Sequence, residues 1–129
     1  MKKVIMLKCV GNVEVPVEAD VAHGIAIHRP VYFEIDEQDN IVLNSDDTPV
    51  YELGKFFWRL THVNSGLSIM HARTKQAAQQ ARKVLQSVDL DRVASLDKEQ
   101  RLTYLPDDHE LRHMMEDHDT WLPPNWKWR

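Results

Sequence analysis

The chain has one cysteine, four glycines and, between residues 53 and 88, no acidic residue at all. Each scarcity excludes something. A single cysteine, Cys9, cannot close an internal disulfide, which fits a reducing, cytosolic setting. Cys9 stands near the apolar start of the chain, one lysine beyond Leu7, and is expected to be a core thiol rather than a nucleophile. Four glycines leave no glycine-rich phosphate loop, and neither G-x-S-x-G nor C-x-x-C occurs. The apolar run Val4 to Leu7 ends at Lys8. It is too short for a signal-peptide core or a transmembrane helix, so no membrane contact and a cytoplasmic location are expected.

What is present describes an ordinary globular chain. Its 129 residues suit one domain with one modest core. Hydrophobic residues at 43% and charged residues at 28% are too balanced for overall disorder. Net charge is −4, but it is laid out in blocks. Residues 1–52 hold 10 acids and 4 bases, residues 53–88 hold 6 bases, and residues 89–119 hold 10 acids and 4 bases. Such segregation either marks a partner surface or sets a basic middle against acidic flanks within the fold.

The first half reads as strands. Val13, Val15 and Val17 alternate with Glu14 and Pro16, and Ile25 and Ile27 alternate with Ala26 and His28. Pro16 lacks an N–H, which places its strand at an edge. Val31, Phe33 and Ile35 alternate likewise. With the turn sequence DEQDN and the return Ile41-Val42-Leu43, they predict a hairpin over 31–44. A second hairpin is predicted over 56–71 around Asn64-Ser65-Gly66. An amphipathic helix is predicted over 74–88, capped by Thr74 and striped by Ala77, Ala78, Ala81, Val84, Leu85 and Val88. Residues 87–106 read as a short helix or turns. A last short helix opens at Asp107, with Glu110 at capping-box spacing, and ends before Pro123 and Pro124. No internal repeat or linker is visible. The expected fold is α+β: an antiparallel sheet of about five strands packed against the 74–88 helix. The chain forms a single domain, strand-rich over 1–72, helical over 73–119, with a Trp/Pro-rich tail at 120–129.

The stretch from Trp58 to Leu85 has a strand, a T-H-x-x-S-G turn (Thr61, His62, Ser65, Gly66), a strand, and an alanine-rich helix (Ala77, Ala78, Ala81). It resembles small phage and mobile-element proteins of unknown function. The resemblance implies a phage, plasmid or integrated-element setting rather than an activity. Thr61 and His62 are equally accounted for as hairpin residues.

Three segments could carry chemistry. His109-Glu110-Leu111-Arg112-His113 spells H-E-x-x-H. Two imidazoles one helical turn apart can share a zinc ion, with Glu110 as the base for its water. Asp119 or His118 would supply the third ligand. Against this, Glu116 stands where a metzincin-like turn needs glycine, and charged Asp108 and Arg112 flank the histidines. Alternatively the same stretch is an acidic surface helix with Leu111, Met114, Met115 and His118 facing the core. The tail carries Trp121, Trp126 and Trp128, which either complete the core or anchor a partner. Arg73, Lys75, Arg82 and Lys83 offer a basic face for nucleic acid.

Together these features point to a non-catalytic protein that binds a protein partner through Asp107, Asp108, Glu116 and Asp117, with Trp121, Trp126 and Trp128 as anchors. In the phage or mobile-element setting it would inhibit or modulate a host nucleic-acid-handling complex, with no cofactor. The alternatives are a zinc-dependent hydrolase and a small nucleic-acid-binding protein.

Overall fold

Alternating apolar residues at 13–19 give the strand they predict. β2 (Glu14–Ala22) buries Val15, Val17 and Ala19 and exposes Glu14, Pro16 and Glu18. It pairs antiparallel with β1 (Lys2–Lys8), setting Ile5 opposite Val17 and Leu7 opposite Val15. The structure, a computed structural model, describes residues 2–8, 13–101, 103, 105 and 108–123; Cys9 lies outside them. Pro16 predicts an edge position for its strand, but β2 lies between β1 and β3, and β1 is the edge on that side. Yet β3 pairs β2 only over Asp20–Ala22, which leaves the Pro16 stretch open on that side. The Pro16 carbonyl accepts from Tyr51 Oη at 3.4 Å, so its missing N–H also faces away from β1, where no ladder bond is lost.

β2 turns into β3 (Ile25–His28) at His23-Gly24, with φ of 54° and 73°. Two positive φ values in a two-residue loop match the twist of the strands they join. All four β3 residues are buried. β3 pairs with β6 (Trp58–His62), β6 with β7 (Ser68–Ala72), and β7 with the two-residue β8 (Thr120–Trp121). The main sheet is therefore six-stranded and antiparallel, in the order β1-β2-β3-β6-β7-β8. The class is α+β, as expected, with one strand more because β8 arrives from far along the chain.

Helix α1 (Lys75–Leu85) packs on one face of that sheet. Thr74 Oγ1 accepts from Ala77 N at 3.1 Å and caps it. Ala77, Ala78 and Ala81 are small enough to bring the helix close to Ile25, Ile27, Leu60 and Met70. Leu90 and Val93 of α2 (Leu90–Ala94) and Leu111 and Met114 of α4 (His109–Glu116) complete this core. Arg101, in α3 (Lys98–Arg101), donates to the Val93 and Ala94 carbonyls and so caps the end of α2. On the opposite face, Ile5, Leu7, Val15, Val17, Ala19 and Ala26 form a second cluster, joined by Val31 and Phe33.

Val31 and Phe33 belong to a segment whose organisation departs from expectation. β4 (Val31–Phe33) pairs not with 41–44 but with β5 (Tyr51–Leu53). Between them the chain makes two short arms, closed by bridges Ile35–Ile41 and Leu43–Pro49. Where stem and arms meet, three backbone bonds form a ring: Glu34 N to Val50 O (3.0 Å), Val50 N to Val42 O (2.9 Å) and Val42 N to Glu34 O (2.9 Å). The ring residues are eight apart, and the arms repeat each other. Asp39 (φ 63°) donates its N–H to Asp36 O, and Asp47 (φ 64°) donates to Asn44 O. Each is a tight turn followed by a left-handed residue, a role aspartate tolerates better than most side chains. Asp36 Oδ1 also accepts from the N–H groups of Gln38 and Asn40. An eight-residue repeat is thus present at 34–49 where none was visible in the sequence. Gly54 closes the stem. A β-carbon there would lie 2.4 Å from the Tyr32 ring and 2.8 Å from Pro30 Cγ.

Candidate functional site

The H-E-x-x-H residues lie on α4 as expected, but the helix begins one residue later than predicted. Asp108, not Asp107, is the N-cap; its Oδ1 accepts from Leu111 N at 2.9 Å. Leu111 then stands where the capping box needs Glu110. Asp107 itself lies outside the described residues, as do Trp126 and Trp128. Leu111 and Met114 are buried, while His109, Glu110, Arg112, His113, Glu116 and Asp117 are exposed.

His118 does not face the core as expected. It has φ of 60°. The Asp119 N–H bonds to Met114 O, and the His118 N–H to Met115 O. That pair of bonds is the left-handed helix stop usually made by glycine. His118 is thereby turned off the helical stripe and exposed.

The zinc-ligand set expected from the motif assembles only in part. His109 and His113 stand together, with ring centroids 4.9 Å apart. Among the described residues no third potential ligand joins them. Asp119 is ion-paired with Arg73 instead, beside the backbone bond from Arg73 N to Asp119 O. Glu110 is exposed on the helix surface.

The basic residues proposed for nucleic acid are partly spent inside the fold. Arg73 holds Asp119. Arg82 is only 12% exposed; it donates to Asp20 O at 2.8 Å and lies 3.5 Å from the Asp20 carboxylate. Here the basic middle does sit against an acidic flank. Lys75 lies 5.6 Å from the Trp58 ring, whose other cation, Arg29, stacks at 3.8 Å. Lys83 is exposed.

The T-H-x-x-S-G residues are accounted for by the hairpin they build. His28, buried under the sheet, donates from Nδ1 to Arg29 O and accepts at Nε2 from Thr61 Oγ1, each at 2.8 Å. Burial holds its pKa down at about 4, against the pull of the Arg29 carbonyl; the nearby Arg59 charge adds to the lowering. Ser65 Oγ accepts from Leu67 N (3.1 Å) and is hydrogen-bonded to His62 Nδ1 (2.7 Å). His62 Nε2 in turn lies 3.4 Å from Asp91 Oδ1. The Gly66 N–H is spent on His62 O, so the turn keeps that donor from stabilising an oxyanion. Trp121 is half-buried, its ring edge-on to Phe57 (5.6 Å) and His71 (5.8 Å). The described start of the tail therefore completes the sheet.

The surface least explained by the fold is the three-armed segment. Residues 34–53 contain seven acids (Glu34, Asp36, Glu37, Asp39, Asp46, Asp47, Glu52) and no lysine or arginine. All seven are exposed, and among the described residues none has a salt-bridge partner. Asp36 and Asp46 satisfy turn N–H groups, and the Thr48 hydroxyl and N–H hold the Asp46 carboxyl below the usual carboxylate range. Interleaved with the acids are exposed apolar side chains: Ile35 (57%), Leu43 (52%) and Leu53 (41%). Ile35, Leu43 and Tyr51 each follow a ring residue, so they hold equivalent positions around the junction. A groove of about 360 Å³ runs between Tyr32, Glu34, Tyr51 and Glu52. Sequence reasoning missed this site because it assigned Ile35 to a buried strand face. The signal available was the spacing of Ile35-Asp36…Asp39-Asn40 and Leu43-Asn44…Asp47-Thr48.

Comparison with protein-family models, with curated proteins and with solved structures finds no match. Among the described residues no helix is long and apolar enough to cross a membrane.

Proposed function

We propose that this chain is a non-catalytic interaction protein whose acidic surface occupies a basic surface of a protein partner. The observation that carries the reading is the three-armed segment, with exposed Ile35 and Leu43 set among carboxylates that have no salt-bridge partner among the described residues. The ring bonds and turn bonds hold its backbone, and among the described residues Glu34, Glu37 and Glu52 make no side-chain hydrogen bond. Such a surface gives a partner's Lys and Arg side chains long-range attraction and gives its apolar groups a place to bury. The exposed Glu116 and Asp117 of α4 extend the acidic character. In the phage or mobile-element setting that the turn-and-helix resemblance implies, the partner would be a protein of a host nucleic-acid-handling complex, and the chain its inhibitor or modulator.

The test is affinity capture from nuclease-treated lysate, followed by titration of the purified captured protein. The parent chain is compared with two variants. One carries Ile35→Ser, Leu43→Ser, Glu34→Gln, Glu37→Gln and Glu52→Gln. The other carries Glu116→Lys and Asp117→Lys; Asp108 is left in place because reversing it would uncap α4. The expected result is a basic partner whose affinity falls by about tenfold or more in the first variant, roughly 1.4 kcal/mol. It should fall further as salt rises from about 0.1 M to about 1 M and the Debye length shrinks from about 10 Å to about 3 Å. A partner bound equally by parent and both variants, or no captured protein that depends on these side chains, overturns the reading.

A further inference from the structure

His109 and His113 remain after the hydrolase ligand set fails to assemble, and their geometry has a meaning of its own. Both are exposed, one turn apart on α4, with ring centroids 4.9 Å apart and ring planes at 86°. A zinc ion holds imidazole nitrogens at about 2.0–2.1 Å in tetrahedral directions. A ring nitrogen lies roughly 1.1 Å from its ring centre, so two imidazoles on one such ion have centroids about 5 Å apart. The pair stands at that centroid spacing.

We propose that His109 and His113 form a two-imidazole site for one borderline transition-metal dication, Zn²⁺ or Ni²⁺, the class that imidazole nitrogen suits. The rest of the coordination shell is water. Glu116 and Asp117 follow His113 by three and four residues, the next positions along the same side of the helix. Neither has a salt-bridge partner among the described residues, so their charge favours a dication without completing its shell. Asp119 is held by Arg73, and His118 is turned away by the left-handed helix stop; neither supplies a third ligand. The site binds metal without the constellation a hydrolase needs, and it stands independently of the partner surface at 34–53.

The experiment is isothermal titration of the tag-free chain with NiCl₂ and with ZnCl₂, beside His109→Ala, His113→Ala and a control His23→Ala. His109 and His113 are exposed, so the variants should fold; thermal melts confirm it. One ion per chain is expected, with affinity lowered about tenfold or more by either α4 substitution and unchanged by His23→Ala. That tenfold corresponds to roughly 1.4 kcal/mol. Nickel should broaden the NMR signals of His109 and His113 before those of any other histidine. Absence of saturable binding, or binding that survives both α4 substitutions, overturns the proposal.

Discussion

Acidification should destabilise this protein through His28, by an amount that follows from its surroundings. The imidazole is fully buried, with Nδ1 bonded to Arg29 O and Nε2 to Thr61 Oγ1. The carbonyl can only accept, so Nδ1 carries the proton, and the ring is neutral with Nε2 as an acceptor. Its pKa is about 4 in the fold against 6.5 for the free side chain. A base with a depressed folded pKa binds its proton more readily when unfolded. Its contribution is therefore complete above about pH 6.5 and is lost as pH falls toward 4. At about 1.36 kcal/mol per pKa unit, the full loss is about 3 kcal/mol, of which about 2 has occurred by about pH 5. Against a typical domain stability of about 5–15 kcal/mol, that is readily measured.

The assay is urea unfolding followed by tryptophan fluorescence at about pH 7.5 and about pH 5. The comparison is with His28→Gln, whose amide can still accept from Thr61 but cannot titrate. The variant should be less stable at the higher pH, because a buried bond and its packing are disturbed. Its loss on acidification should be smaller than the parent's by about 2 kcal/mol, since the two chains differ only at position 28. Parallel pH profiles for parent and variant would refute the assignment of a buried, neutral His28.

Three further substitutions test other parts of the fold by the same assay. His118→Gly should raise stability by about 0.5–1 kcal/mol, because glycine takes the left-handed helix stop without steric cost; a loss would show that the histidine side chain contributes something beyond its backbone position. Thr120→Val should be neutral or stabilising by about 1 kcal/mol, since Thr120 is 1% exposed and its Oγ1 has no hydrogen-bond partner among the described residues. Gly54→Ala should lower stability by about 1–3 kcal/mol, because the added carbon meets Tyr32 and Pro30; an unchanged midpoint would mean that the stem yields freely.

The parts of this fold that were legible in the sequence are those whose pattern is local. Thr74 and the stripe Ala77, Ala78, Ala81 and Leu85 announce α1 because capping and helical period act within a few residues. The β6–β7 hairpin is legible through Asn64-Ser65-Gly66. Ile35 was not, because period-two alternation cannot tell a strand that continues from one that stops at a turn. Asp36 and Asp39 decide that locally, and the ring of Glu34, Val42 and Val50 decides it globally. β8 is two residues long and exists only because Ala72 and His71 are there to receive Thr120 and Trp121. The helix stop at His118 was hidden by its residue type, since glycine is the usual signal. Of the candidate site, the pairing of His109 with His113 was legible from their four-residue spacing. The use of Arg82 and Arg73 within the fold was not, because Asp20 is 62 residues and Asp119 46 residues away.

The central claim is that exposed Ile35 and Leu43, set among seven exposed acids with no salt-bridge partner among the described residues, form a surface for a basic partner. Hydrogen–deuterium exchange on the purified complex tests it most directly. Peptides covering residues 34–53 should exchange more slowly in the complex than in the free chain, with the protection weakened in the Ile35→Ser, Leu43→Ser background. Protection confined to other segments, with 34–53 exchanging as in the free protein, would contradict it.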